Sequence, residues 1–487
     1  MTDQSISDLA APILKRFSLV GLNGYKTISL TCNSPMKIVS ADNGSGKTSL
    51  LNAIYAVFAG RPALLYAIDF HTLIIEWGNG KLSAWRKHEL FGVLSDEGID
   101  KLTGDRLFSR WDVSREDAGE LITKYLLGDL DEAAQTRAYR ELYRDSPHDR
   151  QEIFDRLAAL TDSVIQSGEF PKLHKEAQSA LGECSVLYLP TYRRIEADIP
   201  EFRSGIQHNN SATINALRPR ARPAKDPWDS TRLIFFGMND VETKLVSIVT
   251  QIRKETLEAY SRSNGQTLEE LVGNNPTIHD SSLEALDISS IEVVLARVGK
   301  LGELGGRLKD IIESGEIRTE GRRELRRFLS QLLRVYADRR DDEQAIGNFV
   351  DIVNKYLCPA PILDDAVIGV AEKSLTFDKL NLDIGVKNRI SKDEIKFGAL
   401  SSGEKQIVSL FARIMLDPRR RYFILIDEPE LSLSLDWQQR LLLDIASTQN
   451  FRQLIAITHS PFIFDNSLNV FAGSLEIERF SAQGNDK

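Results

Sequence analysis

The stretch Ala41–Leu50, ADNGSGKTSL, joins a short apolar segment, MKIVS (36–40), to a run with helical spacing, TSLLNAIYAVFAG (48–60). Strand, glycine loop and helix in that order constrain the fold more than any other feature of the chain. A glycine loop that opens a helix turns backbone N–H groups and the positive end of the helix dipole toward an anion. Such loops belong to α/β folds built on a parallel sheet. The pattern G-x-x-x-x-G-K-[ST] begins here with Ala41, but that first position mainly shapes the turn. The later glycines must let the backbone approach phosphate closely. We read Asn43, Gly44, Ser45, Gly46, Lys47, Thr48 and Ser49 as a nucleotide-phosphate loop. In it Lys47 reaches the terminal phosphates and the Thr48 hydroxyl ligates magnesium.

Upstream, KRFSLVGL (15–22) and KTISLTC (26–32) alternate apolar residues as strands do, and HTLIIEWGNGKLSAW (71–85) reads as a hairpin around Gly78-Asn79-Gly80. Residues 94–180 are charge-rich and mostly helical in pattern, after which CSVLYLP (184–190) is an apolar strand ended by proline. RPRARPAKDP (218–227) is a solvated linker or, in the other reading, a nucleic-acid contact. Val241, Leu245, Ile248 and Ile252 share one helix face; Leu325, Phe328, Leu332 and Val335, then Ile346, Val350, Val353 and Leu357, repeat the stripe. Such stripes suit a short antiparallel helical arm or an ordinary helical core. Strands return after residue 361, and RYFILIDE (421–428) and FRQLIAITHS (451–460) have the unbroken apolar character of strands covered on both faces. The phosphate loop and these strands lie at opposite ends of the chain and are expected in one sheet, with everything between them inserted. The expected division is an N-terminal lobe (1–93), a helical insertion with a return strand (94–205), a linker and helical arm (206–360) and a C-terminal lobe (361–487).

Three further segments carry chemistry. RYFILIDE ends in Asp427-Glu428, which puts two carboxylates at the carboxyl edge of a parallel sheet, where ligands of such sheets bind. Asp427 is a candidate magnesium ligand and Glu428 a candidate general base toward an attacking water. In ALSSGEKQ (399–406), Ser401, Ser402, Gly403 and Glu404 supply hydroxyls, a close-approach glycine and a helix start, a second phosphate-binding end. In ITHSPF (457–462), His459 follows an apolar strand and can contact a terminal phosphate.

NGSGKT, LSSGEKQ, DEPE and THSPF, in that order and split by a large helical insertion, resemble the ABC-type ATPases of the SMC, RecF and OLD-like group. The resemblance covers about the first 90 and the last 125 residues and implies an α/β ATPase head assembled from the two terminal lobes, with ATP and Mg2+ as its ligands. It also implies that Ser402-Gly403 of one protomer caps ATP held by Lys47 of another, in a homodimer or higher homo-oligomer. Asp436 falls in the loop that crosses that interface. Where the group often carries a magnesium-sensing glutamine, LPTYRRIE (189–196) has Arg193 and Arg194 instead. Tyr25 is a candidate to stack on adenine, or else a core residue.

DEPELSLSLDWQ with THSPF is most similar to the OLD-like branch, many of whose members serve in antiphage defence beside a nuclease. Only NVFAGSLEIERFSAQGNDK follows that segment, too short for a nuclease domain, and no His-Asn-His cluster occurs. The chain thus resembles stand-alone ATPase subunits of the PARIS and Septu systems, the short arm favouring the first. The resemblance implies a separately encoded nuclease effector and a phage-encoded trigger protein as partners. The alternative is a RecF-type repair clamp that binds DNA directly. A net charge of −9 counts against a chain coated in basic surface but leaves room for a local basic groove. A transporter ATPase is disfavoured by the insertion that splits the lobes. No apolar run approaches the roughly 20 residues of a membrane helix, the N-terminus lacks the basic start of a secretory signal, and three scattered cysteines suggest neither disulfides nor a zinc site. The cytoplasm is the expected location.

Overall fold

The computed structural model describes residues 11–40, 44–91, 113–126, 130–144, 168–190, 238–272, 288–297, 302–337, 340–358 and 373–480. Ala41, Asn43, Arg193, Arg194 and the 218–227 segment lie outside the described residues. In chain order the strands are β1 (Leu14–Leu22), β2 (Lys26–Thr31), β3 (Met36–Ser40), β4 (Thr72–Trp77), β5 (Leu82–Arg86), β6 (Ser185–Leu189), β7 (Lys373–Asp378), β8 (Asp383–Asn388), β9 (Glu394–Ile395), β10 (Tyr422–Asp427), β11 (Phe451–Thr458), β12 (Ala472–Gly473) and β13 (Glu476–Arg479). The helices that bear on the site are α1 (Lys47–Phe58), α2 (Phe170–Leu181), α3 (Met238–Val272), α4 (Arg323–Ala337), α5 (Arg340–Leu357), α6 (Ser402–Met415) and α7 (Leu435–Ala446). Contacts group the chain into two units: Met1–Phe235 with Arg420–Ser447 and Phe451–Lys487, and Phe236–Arg419 with Thr448–Asn450.

The first unit is a mixed α/β structure with two sheets. One is antiparallel in the order β13-β2-β1-β4-β5; the other, β12-β3-β11-β10-β6, has only parallel pairings. The phosphate-loop strand β3 and the C-terminal strands β10 and β11 therefore share one sheet, as their apolar runs led us to expect. All six residues of β10 are buried, because neighbours cover both faces of a central parallel strand. The half-covered β4 instead alternates, with Leu73, Ile75 and Trp77 inward. Helix α1 is apolar on nearly every side and is buried at nine of its positions. The Phe58 ring packs edge-on against Trp77 of the antiparallel sheet (5.9 Å) and Phe423 of the parallel one (4.9 Å). Gln453 on β11 is fully buried; its amide oxygen accepts the Ile13 (2.7 Å) and Leu14 (3.0 Å) N–H groups and its nitrogen donates to the Leu14 carbonyl (3.0 Å). These bonds join the two sheets through their middle strands, near the start of β1 and of β11.

The second unit carries the helical stripes and a small antiparallel sheet, β7-β8-β9. On α3, Val241, Leu245 and Ile252 are buried and Ile248 is half-buried; on α5, Ile346, Val350, Val353 and Leu357 are all buried. The second stripe is thus carried by two helices, α4 and α5. Leu329 of α4 forms a core with Ile291, Val294, Leu308 and Ile317, against which Tyr260, Leu325 and Phe328 pack. Of that stripe, Leu325 and Phe328 pack against this core, while the Leu332 and Val335 side chains lie outside the described residues. The unit also holds a buried ion pair, Arg297–Glu343 at 2.6 Å, each side chain 2% exposed, with Arg297 donating as well to the Lys379 carbonyl.

Candidate functional site

The parallel sheet gathers the sequence motifs of the first unit along one edge. Ser40 ends β3 opposite Thr458 of β11, and Asp427 ends β10 opposite Ile457. The residues just beyond these strand ends therefore lie side by side, the position where parallel α/β sheets bind ligands.

From β3 the chain enters the glycine loop. Gly44 and Gly46 have φ of 77° and 101°, the left-handed region that glycine reaches without cost. A Cβ on Gly46 would stand 3.0 Å from Leu22 Cδ2 and 3.2 Å from Ile28 Cδ1; one on Gly44 would meet nothing within 4 Å. Ser45 Oγ is buried with no hydrogen-bond partner among the described residues. An orphaned hydroxyl between two left-handed glycines at the start of a 12-residue helix fits a phosphate. The buried Lys26 donates to the Gly44 carbonyl (3.1 Å) and lies 5.2 Å from the Tyr25 ring. Lys26 is a residue that sequence reasoning missed. Tyr25 is 47% exposed, which decides against its reading as a core residue.

Helix α1 begins with Lys47, Thr48 and Ser49, of which Lys47 is buried and the others half-buried. The Lys47 ammonium contacts His459 Nε2 and lies 3.3 Å from Nδ1. Thr48 Oγ1 donates to Asp427 Oδ2 at 3.2 Å. A hydroxyl beside a 5% exposed carboxylate suits magnesium, which takes one or two protein oxygens and completes its shell with phosphate and water. Glu428 follows with its Oε1 3.7 Å from His459 Nε2. Its φ of 51° is unusual for a side chain with a Cβ and costs about 1–3 kcal/mol. The Glu428 N–H still donates to the Ile457 carbonyl (2.8 Å), so the turn happens without leaving the strand ladder.

The third acid of DEPE is Glu430, a residue that sequence reasoning missed. Its carboxylate accepts the Thr458 hydroxyl and the His459 and Ser460 amides. Asp436 is exposed in the first turn of α7.

Ser401, Ser402, Gly403 and Glu404 belong to the second unit, where they open α6. Glu404 accepts the Ser401 N–H (2.7 Å) while Ser401 Oγ accepts the Glu404 N–H (3.4 Å), a reciprocal capping box. Ser401 and Ser402 are exposed and Gly403 is buried. Lys373 of β7 also donates to Glu404 (2.8 Å), a contact no local pattern announces. Burial pushes the Glu404 carboxyl up, but the bonds from Lys373 and Ser401 outweigh it and hold the group below the usual carboxylate range.

Among the described residues no helix is long and apolar enough to cross a membrane. Residues 313–465 match the family model described as "AAA domain, putative AbiEii toxin, Type IV TA system". The matched stretch includes Glu404, Asp427, Glu428 and His459 and leaves out the phosphate loop. No curated protein matches the chain. Among solved structures, the chain is similar to the Smc head domain with an extended coiled coil bound to the C-terminal domain of ScpA, from Pyrococcus furiosus (17% identity, 96% of each chain covered, TM-score 0.31). It is also similar to an SmcHead bound to the C-winged helix domain of ScpA (14% identity, 97% of this chain and 98% of that one, TM-score 0.30).

Proposed function

We propose that the chain binds ATP with magnesium and hydrolyses it, and that it does so as the ATPase subunit of an antiphage defence system with a separately encoded nuclease. One observation carries the catalytic part: His459 in reach of both Lys47 and Glu428, beside the Thr48–Asp427 pair, at the carboxyl edge of a parallel sheet. The loop amides and Lys47 bind the phosphates. Thr48 and Asp427 would hold magnesium, which neutralises phosphate charge when bound. Glu428 takes the proton of the attacking water, and His459 orients the terminal phosphate against Lys47. Exposed Ser402 and Asp436 are free to meet a second copy, so that Ser402-Gly403 of one protomer completes the site held by Lys47 of another.

The defence reading rests on the motif resemblance and on the description of the matched family as a toxin of a type IV toxin–antitoxin system. Both point to a two-component arrangement, of the PARIS or Septu kind, in which the ATPase governs an effector. An ATPase dimer can restrain such an effector until a trigger with different affinities for its two states shifts the balance.

The test uses two variants. Lys47→Ala abolishes ATP binding. Glu428→Gln keeps ATP and a closed dimer while losing about 10²–10⁴-fold in hydrolysis, since only the proton acceptor is gone. Hydrolysis by Glu428→Gln at the wild-type rate refutes the assignment. For the partner, the tagged chain is recovered from its native host and nuclease activity is measured with and without what it retains. Cutting by the isolated chain refutes the division of labour.

A further inference from the structure

Glu430 stands apart from the residues assigned so far, because its carboxylate is spent entirely on the turn that carries His459. Its Oε2 accepts the hydroxyl of the fully buried Thr458 at 2.7 Å. Its Oε1 accepts the main-chain N–H groups of His459 at 2.7 Å and Ser460 at 3.2 Å. The last residue of β11 paired with β3 is Thr458, so the two amides that follow lie beyond the ladder, and Glu430 supplies the acceptor that a neighbouring strand would have given. Charge-assisted bonds of this kind are about twice as strong as neutral ones. Gln438 of α7 fastens the same turn from the other side: its amide oxygen accepts the Ser460 hydroxyl (2.6 Å), and its nitrogen donates to the Leu433 carbonyl (3.0 Å). The His459 ring itself is one-third exposed and, among the described residues, is held by Lys47 and Glu428. Its aim therefore depends on where its own main chain is fixed.

We infer that Glu430 is a positioning residue for ATP hydrolysis: it holds the main chain of His459 so that the imidazole meets Lys47 and Glu428. This rests on the ATPase reading above. It makes Glu430 different in kind from Glu428. A proton acceptor needs its charge; a positioning residue needs its acceptor oxygens. Glutamine at 430 keeps one oxygen for the two amides, and its NH2 can donate to Thr458 Oγ1, so the turn survives without the charge. Alanine takes the carboxylate from the His459 amide and leaves the Ser460 amide only the Thr458 hydroxyl, at 3.0 Å.

The experiment compares Glu430→Ala and Glu430→Gln with the wild-type chain in steady-state ATP hydrolysis, in each case with and without His459→Ala. Glu430→Ala is expected to lower kcat about 10–100-fold with KM within about threefold, the scale typical of residues that orient a reacting group. Glu430→Gln is expected to stay within about threefold of wild type in both. In a His459→Ala background, Glu430→Ala is expected to cost nothing more, because its effect runs through that ring. Hydrogen exchange of the His459 and Ser460 amides is followed in parallel and rises in Glu430→Ala but not in Glu430→Gln. A Glu430→Gln chain as inactive as Glu430→Ala, or losses that multiply with His459→Ala, overturns the proposal, as does unchanged exchange at the two amides. A wild-type chain that hydrolyses no ATP refutes the ATPase reading itself, whereas the exchange data then still decide whether Glu430 holds the turn.

Discussion

The phosphate loop can be tested by adding a single methyl group. Gly44, Gly46 and Gly80 all have left-handed φ, of 77°, 101° and 81°. Alanine in that region costs about 1–2 kcal/mol, because Cβ crowds the following carbonyl. At Gly44 and at Gly80, in the β4–β5 hairpin turn, a Cβ would meet no described residue within 4 Å, so the cost to folding is that backbone cost. At Gly46 the Cβ would also press on the buried Leu22 and Ile28 at 3.0 and 3.2 Å, which adds about 1–3 kcal/mol of overpacking. The three variants thus separate folding from binding. Gly44→Ala and Gly80→Ala should be matched in denaturant midpoint, with Gly46→Ala the least stable. In calorimetric titration with ATP and magnesium, Gly80→Ala should bind like wild type. Gly44→Ala should lose at least about tenfold, or 1.4 kcal/mol, because the methyl and the shifted turn spoil the approach of the loop amides to phosphate. If Gly44→Ala and Gly80→Ala bind ATP equally well, the loop is not the phosphate site, and the roles of Lys47 and Thr48 fall with it.

Gln453→Leu should cost about 3–9 kcal/mol in chemical denaturation, because two buried N–H groups and one carbonyl lose their partner at about 1–3 kcal/mol each; a loss below about 1 kcal/mol would mean that the two sheets are not joined there. Glu404 is held below its ordinary range, so its contribution to stability is present above the unfolded carboxylate value and is lost as pH falls through the lower folded value. The stability gap between wild type and Glu404→Gln should therefore be largest near neutrality and close in acid, and a gap that stays constant from neutral to strongly acid pH would contradict the assigned bonding.

What could be read from the sequence was whatever depends on near neighbours. The strand β10 announced itself because every one of its residues is apolar up to Asp427, and the phosphate loop because its glycines, lysine and threonine stand consecutively. The helical stripe from Leu325 to Val335 is legible as a helix face, yet among the described side chains of α4 the buried one is Leu329, which a choice between adjacent Phe328 and Leu329 cannot settle without knowing what packs there. Lys26, Lys373 and Gln453 act on partners that the chain brings back only after folding: Gln453 bonds residues more than four hundred positions away. Glu430 is the clearest case. As the third acid of DEPE it is indistinguishable in type from the two before it, and a proline separates it from them. Its role follows from topology. Because β10 and β11 are adjacent and parallel, the residues just past the end of one must lie beside those just past the end of the other. Since β10 ends at Asp427 and β11 at Thr458, a carboxylate on the first turn out of β10 is the nearest charged acceptor for amides that have run out of strand.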